Sequence, residues 1–394
     1  MTPSIGSIRD SIDSDRLVER LQKMVATPSE NPPGNEAEVA DLVASYCKEL
    51  GLETNLHEGA PGRPSVVARW KGGAGPTISY CSHIDVVPAG DPKLWADDPF
   101  GARIESGTLH GRGSCDAKGP VAAALEAVAA LRHAGWEPAG TLQLDLVADE
   151  EAMGFKGAGY LVEQGITKPK AAIIGEPTSL RVVRAQRGAC WFSITTKGVA
   201  GHGSAPERGV SAIKHAAEIV LRLEESLPAV SHPVLGGPSI NVGTINGGAK
   251  VNIVPASCVI EVDRRSIPQE SKDDVLASIQ AAVDLARERF PDLEADVDFS
   301  FYAPPFEIAE DSHLVTHAAA AVTETLGTEA ELAGFRGASD ARFLAEAGSD
   351  VIVLGPGDIR LAHTARESVE LAEVEKAACA YALAFARLLD GAAA

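Results

Sequence analysis

Leu17, Leu21, Met24 and Val25, then Val39, Leu42, Val43, Tyr46 and Leu50, recur at helical spacing along the start of the chain. They predict two helices split by the breaker SENPPGNE, with residues 1–12 expected to be loose. The rhythm then shortens. Apolar or alternating runs at 65–69, 77–82, 141–148, 171–174 and 351–354 predict strands, and the Ala-rich stretch 120–133, opened by Pro120, predicts a helix. Strand and helix in alternation predict an α/β sheet. From about 181 to 295 the order changes to strand (190–196), helix (208–227), two long strands (239–246, 256–264), helix (272–290) and a strand near 295–301. That is an α+β unit with enough chain for its own core. Helices near 311–326 and 372–389 resume the first pattern. The simplest architecture is a discontinuous α/β domain, 1–180 with 296–394, interrupted by an inserted α+β domain, 181–295.

Composition narrows the functional classes. With 394 residues, 45% hydrophobic and 23% charged, the chain can bury a sizeable core. Mean hydropathy is +0.01. There is no apolar run of ~18 residues and no basic-then-apolar leader, so neither a membrane nor secretion is expected. Lys and Arg number 35 against 55 Asp and Glu, a net charge of −20, which makes nucleic acid a poor partner. Six cysteines without a CxxC pair indicate a reducing cytoplasm rather than a disulfide framework or structural zinc knuckle.

In open α/β sheets the working crevice lies beyond the carboxyl ends of the strands. Here those ends deliver His83 and Asp85 in SHID, Glu150 and Glu151 after TLQLDLVA, Glu176 in GEPT, and His363 after VIVLG and GPGDIRLA; Asp116 precedes the helix opened by Pro120. Two imidazoles and several carboxylates suit zinc or a similar divalent ion such as cobalt or manganese. Each residue alone reads as a polar loop, a solvated helix start or a cap. Their convergence on one sheet edge does not. His202, in the Gly-flanked turn GHGS, is placed to donate to a developing oxyanion rather than to fill a core. His313 and His317 have zincin spacing, but HLVTH lacks the catalytic Glu and reads as a solvated helix face. Cys115 reads as a small buried filler.

The stretches SHIDVVPAG, GRGSCDAKGP, ADEEAMGFKGA, GEPT, GVAGHGSAPERGVSAI and LGPGDIRLAHTARESV resemble the successive motifs of the M20 metallopeptidase and deacylase family, over about Leu17 to Leu388. The branch most resembled holds acetylornithine deacetylase and succinyl-diaminopimelate desuccinylase. The resemblance implies a mixed-sheet, zinc-peptidase-like catalytic domain with an inserted lid and dimerisation domain, and a homodimer formed through it. It also implies two divalent ions, zinc in the first place. His83, Asp116 and Glu176 would hold one and Asp116, Glu151 and His363 the other, with Asp116 bridging. Glu150 would be the general base, Asp85 the outer partner of His83, and His202 a catalytic donor reaching the neighbouring subunit. A Glu at position 176 is similar to the deacylase side of the family. Arg264 resembles the clamp for a substrate carboxylate, against a surface ion pair with Asp263 or Glu261; Asn252, in KVNIVP, is a lesser candidate for the same pocket. The implied substrate is a small N-acyl amino acid, with a dipeptidase or carboxypeptidase, or a non-catalytic metal-binding homologue, as alternatives. The acyl group and the amino acid have no readable code.

Overall fold

The strands Thr77–His83, Thr141–Val147 and Ala171–Ile174 are buried almost throughout, the condition of strands covered on both faces in a parallel sheet. In the computed structural model, which describes residues 2–390, they form the middle of one sheet. Thr77–His83 runs parallel to both of the others, and Asp350–Val353 extends the parallel set beside Ala171–Ile174. Pro64–Lys71 pairs antiparallel with Thr141–Val147, and Glu53–Glu58 adds an outer antiparallel strand, which makes the sheet mixed.

The helix Lys118–His133 is buried from Lys118 to Leu131. A helix apolar all round belongs in an interior. Its alanines admit close packing by Ser14–Val25 and Leu371–Asp390, and the latter also packs on His313–Leu326. Among the described residues no helix is long and apolar enough to cross a membrane.

Contacts divide the chain into two units. The larger takes in residues through Arg184, Ile308–Ala333 and the chain from Ser339 onward; the smaller takes in Ala185–Glu307 and Gly334–Ala338. The smaller unit is a four-stranded antiparallel sheet in the order Ser239–Gly247, Ser257–Ser266, Gly188–Lys197, Glu294–Ala303. The helices Ala212–Glu225 and Lys272–Arg289 close over a separate core that includes Phe192, Ile219, Ile260 and Ile279. Glu294–Ala303 pairs with Gly188–Lys197 from Glu294 to Ala303, so a boundary at 295 would cut that strand.

One expectation is overturned at the amino terminus. Met1 lies outside the described residues, but Ile5–Ser11 is a helix capped by the Ser4 hydroxyl, which accepts from Ser7 N at 3.2 Å. Ile8 is wholly buried, and the Thr2 hydroxyl donates to Asp390 at 2.7 Å.

Candidate metal centre

Parallel strands present their carboxyl ends on one side, and this alone gathers the first set of polar residues. His83 is the last residue of its strand and lies opposite Val147. Beyond Val147 the chain passes Asp149 at φ +73° and makes one tight turn, Glu150–Ala152, closed by Met153 at φ +83°. Left-handed backbone at a residue with a Cβ costs ~1 to 2 kcal/mol and needs outside support. That support is a buried polar frame. The Asp149 carboxylate accepts from Arg63 Nη1 at 2.6 Å and Lys156 N at 2.9 Å, and Arg63 is also paired with the buried Glu36. The Asp85 carboxylate accepts from Glu150 N and Glu151 N, both at 3.2 Å, and from Asn31 Nδ2 at 2.8 Å.

The expected pairing of Asp85 with His83 takes a different form. His83 Nδ1 lies 2.9 Å from the main-chain carbonyl of Asp85 and 3.6 Å from its carboxylate. The carbonyl fixes the imidazole tautomer, which leaves the carboxylate free to hold the Glu150–Glu151 turn.

The opposite ring nitrogen faces the site. His83 Nε2 is 3.0 Å from Asp116 Oδ1 and 3.9 Å from Glu176 Oε2. His363, at φ +60°, brings its Nε2 to 3.4 Å from Asp116 Oδ2 and 3.1 Å from Glu151 Oε2. Asp116 therefore offers one oxygen to each imidazole. Two overlapping trios, His83 with Glu150 and Glu176, and His83 with Asp116 and Glu151, have candidate ligand atoms within 4.8 Å of one another. Glu150 is thus also within ligating reach.

The electrostatics of this cluster call for cations. Burial, with the charge of Glu176, pushes the Glu150 carboxyl well above its usual range. Burial likewise pushes Glu176 up to about 7. Burial works against the charge on Asp116, yet hydrogen bonds from His363 and His83 hold it below the usual carboxylate range. Asp116 and Glu151 together push His363 up to about 10. So many carboxylates in a dry site draw the imidazoles into carrying positive charge. Divalent cations supply that charge at higher density and suit this mixture of nitrogen and oxygen donors. The donor set fits such ions.

Known proteins resemble the chain over most of its length. Residues 80–387 match the model of peptidase family M20/M25/M40. The chain belongs to that family. It is 30% identical over 381 residues to an acetylornithine deacetylase of Proteus mirabilis, covering 91% of this chain and 93% of that one. A succinyl-diaminopimelate desuccinylase of Hydrogenovibrio crunogenus is 27% identical over 370 residues, covering 91% and 95%. The aminopeptidase PepT of Bacillus cereus shares the fold, with a TM-score of 0.81 at 24% identity, covering 96% of this chain and 99% of that one.

The candidates in the smaller unit of this M20 chain fare differently from one another. His202 is exposed, its Nδ1 2.7 Å from the Ser204 hydroxyl. The exposed Asn252 braces that turn, since Gly203 N donates to its carbonyl at 2.8 Å. Arg264 is not at a surface at all. It is wholly buried and bonded to the Glu270 carboxylate and, at 3.0 Å, to the carbonyl of Arg265. Neither Asp263 nor Glu261 is its partner, because a strand puts neighbours on opposite faces. Asp263 pairs with Arg265 at 2.9 Å, on the more open face.

Several residues of the site had no sequence role. Asn31 and Glu36 lie in the breaker SENPPGNE, whose pattern predicts only an interruption, and Arg63 directly precedes the strand Pro64–Lys71. Asp340, within FRGASDARF, is 2% exposed, and burial pushes its carboxyl up to about 7. Glu367 lies four residues after His363 in the same motif, LGPGDIRLAHTARESV, whose sequence alone marks only the histidine.

Proposed function

We propose that the chain is a metal-dependent amidohydrolase that removes an acyl group, of the acetyl or succinyl class, from an N-acyl amino acid. The convergence of His83, Asp116, Glu150, Glu151, Glu176 and His363 carries this reading. The relatives named deacetylase and desuccinylase support it. His83, Asp116 and Glu176 would hold one divalent ion, and Asp116, Glu151 and His363 a second, with zinc ahead of cobalt and manganese. When bound, two such ions polarise an amide carbonyl and acidify a water. Glu150, free of the ligand set, would take the proton of that water and return it to the leaving amine. Asp85 would keep Glu150 and Glu151 apart in role through their main-chain N–H groups. His202 would donate to the oxyanion from a second copy of the chain, in a homodimer formed through the smaller unit. The substrate carboxylate would be met by Arg265 rather than Arg264, with Asn252 bonded through its carbonyl to the His202 turn. Six buried, unpaired cysteines support a reducing, cytoplasmic setting.

The test is a hydrolysis panel of N-acetyl and N-succinyl amino acids and dipeptides, run on metal-stripped protein and after zinc or cobalt is returned. Stripping should abolish activity, metal should restore it, and N-acyl amino acids should exceed dipeptides in kcat/KM by at least roughly tenfold. Full activity without metal would overturn the dimetal reading. Faster dipeptide cleavage would move the assignment to a dipeptidase.

A further inference from the structure

Glu367 is a buried carboxylate that touches none of the candidate ligand side chains, yet it is bonded to both chain segments that carry His363 and Asp116. One oxygen, Oε1, accepts three main-chain N–H groups of a single loop: Gly113 at 2.9 Å, Cys115 at 3.2 Å and Asp116 at 3.1 Å. The other oxygen is paired with Arg112 of the same loop. The residue is 1% exposed, so water does not compete for these bonds. The loop can aim its amides inward because Gly111 and Gly113 take φ +151° and +84°. Arg112 is itself held by the Thr364 carbonyl at 3.4 Å and lies over the Trp95 ring at 5.1 Å.

Converging main-chain N–H groups form a nest for an anion, and here the anion is supplied from a segment 251 residues away in sequence. That segment is the one that ends the His363 turn, since Glu367 N donates to Thr364 O at 3.4 Å and Gly111 N donates to Glu367 O at 3.1 Å. A single side chain therefore sets the Asp116 backbone against the turn that carries His363. The contacts made by Asp116 with both imidazoles depend on that setting.

We propose that Glu367 is a positioning residue for the metal centre, holding the Asp116 loop and the His363 turn in the arrangement that binds a divalent ion. The proposal rests on the dimetal reading. Outer groups that orient ligands typically govern 10 to 100-fold of metal affinity, and a carboxylate that collects three amides of a ligand loop belongs in that range.

The test uses full-length wild type, Glu367→Gln and Glu367→Asp. Glutamine keeps an acceptor for the amides but turns an N–H₂ toward Arg112; aspartate keeps the charge but is one methylene too short for all four donors. Zinc affinity is measured by competition with a chromophoric chelator, beside circular dichroism and thermal melts of the metal-free proteins. Both variants should fold and bind zinc at least roughly tenfold more weakly. With metal limiting, kcat should fall while KM stays within about threefold, because Glu367 touches no substrate. Wild-type zinc affinity in both folded variants overturns the proposal. So does failure of both to fold, which would make Glu367 a structural residue only. If wild type itself binds no zinc, the dimetal reading has failed, and that outcome is distinct from weakened binding in the variants alone.

Discussion

A one-residue step along a strand decides what Arg264 and Arg265 can do. In Ser257–Ser266 the buried positions are Cys258, Ile260, Val262, Arg264 and Ser266, and the first three belong to the core beneath the helices of the smaller unit. Arg264 occupies an apolar position and is tolerated there because Glu270 answers its charge. Removing it as Ala strands the Glu270 carboxylate in a dry site, which should cost ~3 to 5 kcal/mol of stability. Removing Arg265 as Ala breaks only a partly exposed pair with Asp263 and should cost under ~1 kcal/mol. The two variants should separate in function as well. Wild type should prefer an N-acyl amino acid over its carboxamide by at least roughly tenfold in kcat/KM, and Arg265→Ala should lose most of that preference while melting in urea like wild type. Unchanged discrimination in Arg265→Ala would remove it from the substrate site.

At the scale of elements, the sheet's interior was legible and its margins were not. The parallel strands are apolar or alternating runs with turn residues after them, so both their position and the polar groups at their ends are legible directly. Glu53–Glu58 could not, because its sequence ETNLHE has one apolar residue, Leu56, and that is 45% exposed. It is a strand only by pairing with Pro64–Lys71. Ile5–Ser11 is too short to be stable alone and exists by packing on the helices Lys118–His133 and Leu371–Asp390. SENPPGNE breaks the chain between the helices Ser14–Val25 and Ala37–Glu49 as its Pro and Gly predict, but its polar residues are partners of groups remote in sequence, which no local pattern encodes. The turn Glu150–Ala152 shows the same division. Its adjacent carboxylates were evident, whereas their frame of Asp85, Arg63 and Asp149 emerges only from the fold. Since either Glu is within ligating reach, the roles are open to a direct test. Glu150→Ala should lower kcat by ~10² or more with metal content near two per chain, and Glu151→Ala should lose metal, measured by atomic emission. The reverse pattern would exchange base and ligand.

Among the described residues each of the two units has a large core of its own, and the metal-site residues belong to the larger unit while His202 belongs to the smaller. The smaller unit exposes Val199, Ile213, Ile245, Val251 and Ile253 around or near the His202 turn and along Ser239–Gly247. Among the described residues, Ser239–Gly247 is paired on one side only, with Ser257–Ser266. Exposed apolar side chains beside an open strand edge favour association with a second copy, and an isologous contact needs only one such surface. If the dimer also carries His202 into the partner's site, two separately inactive chains should complement each other. His202→Ala supplies an intact Glu150, Glu150→Ala supplies an intact His202, and a hybrid dimer then contains one complete site. After subunit exchange, statistical mixing makes half the dimers hybrid, so activity should approach about a quarter of wild type. Exchange is checked independently with differently tagged chains, and the dimer by sedimentation. No recovery in a mixture with proven hybrids would confine His202 to its own chain or exclude it from catalysis, and a monomer at assay concentration would remove the basis for a shared site.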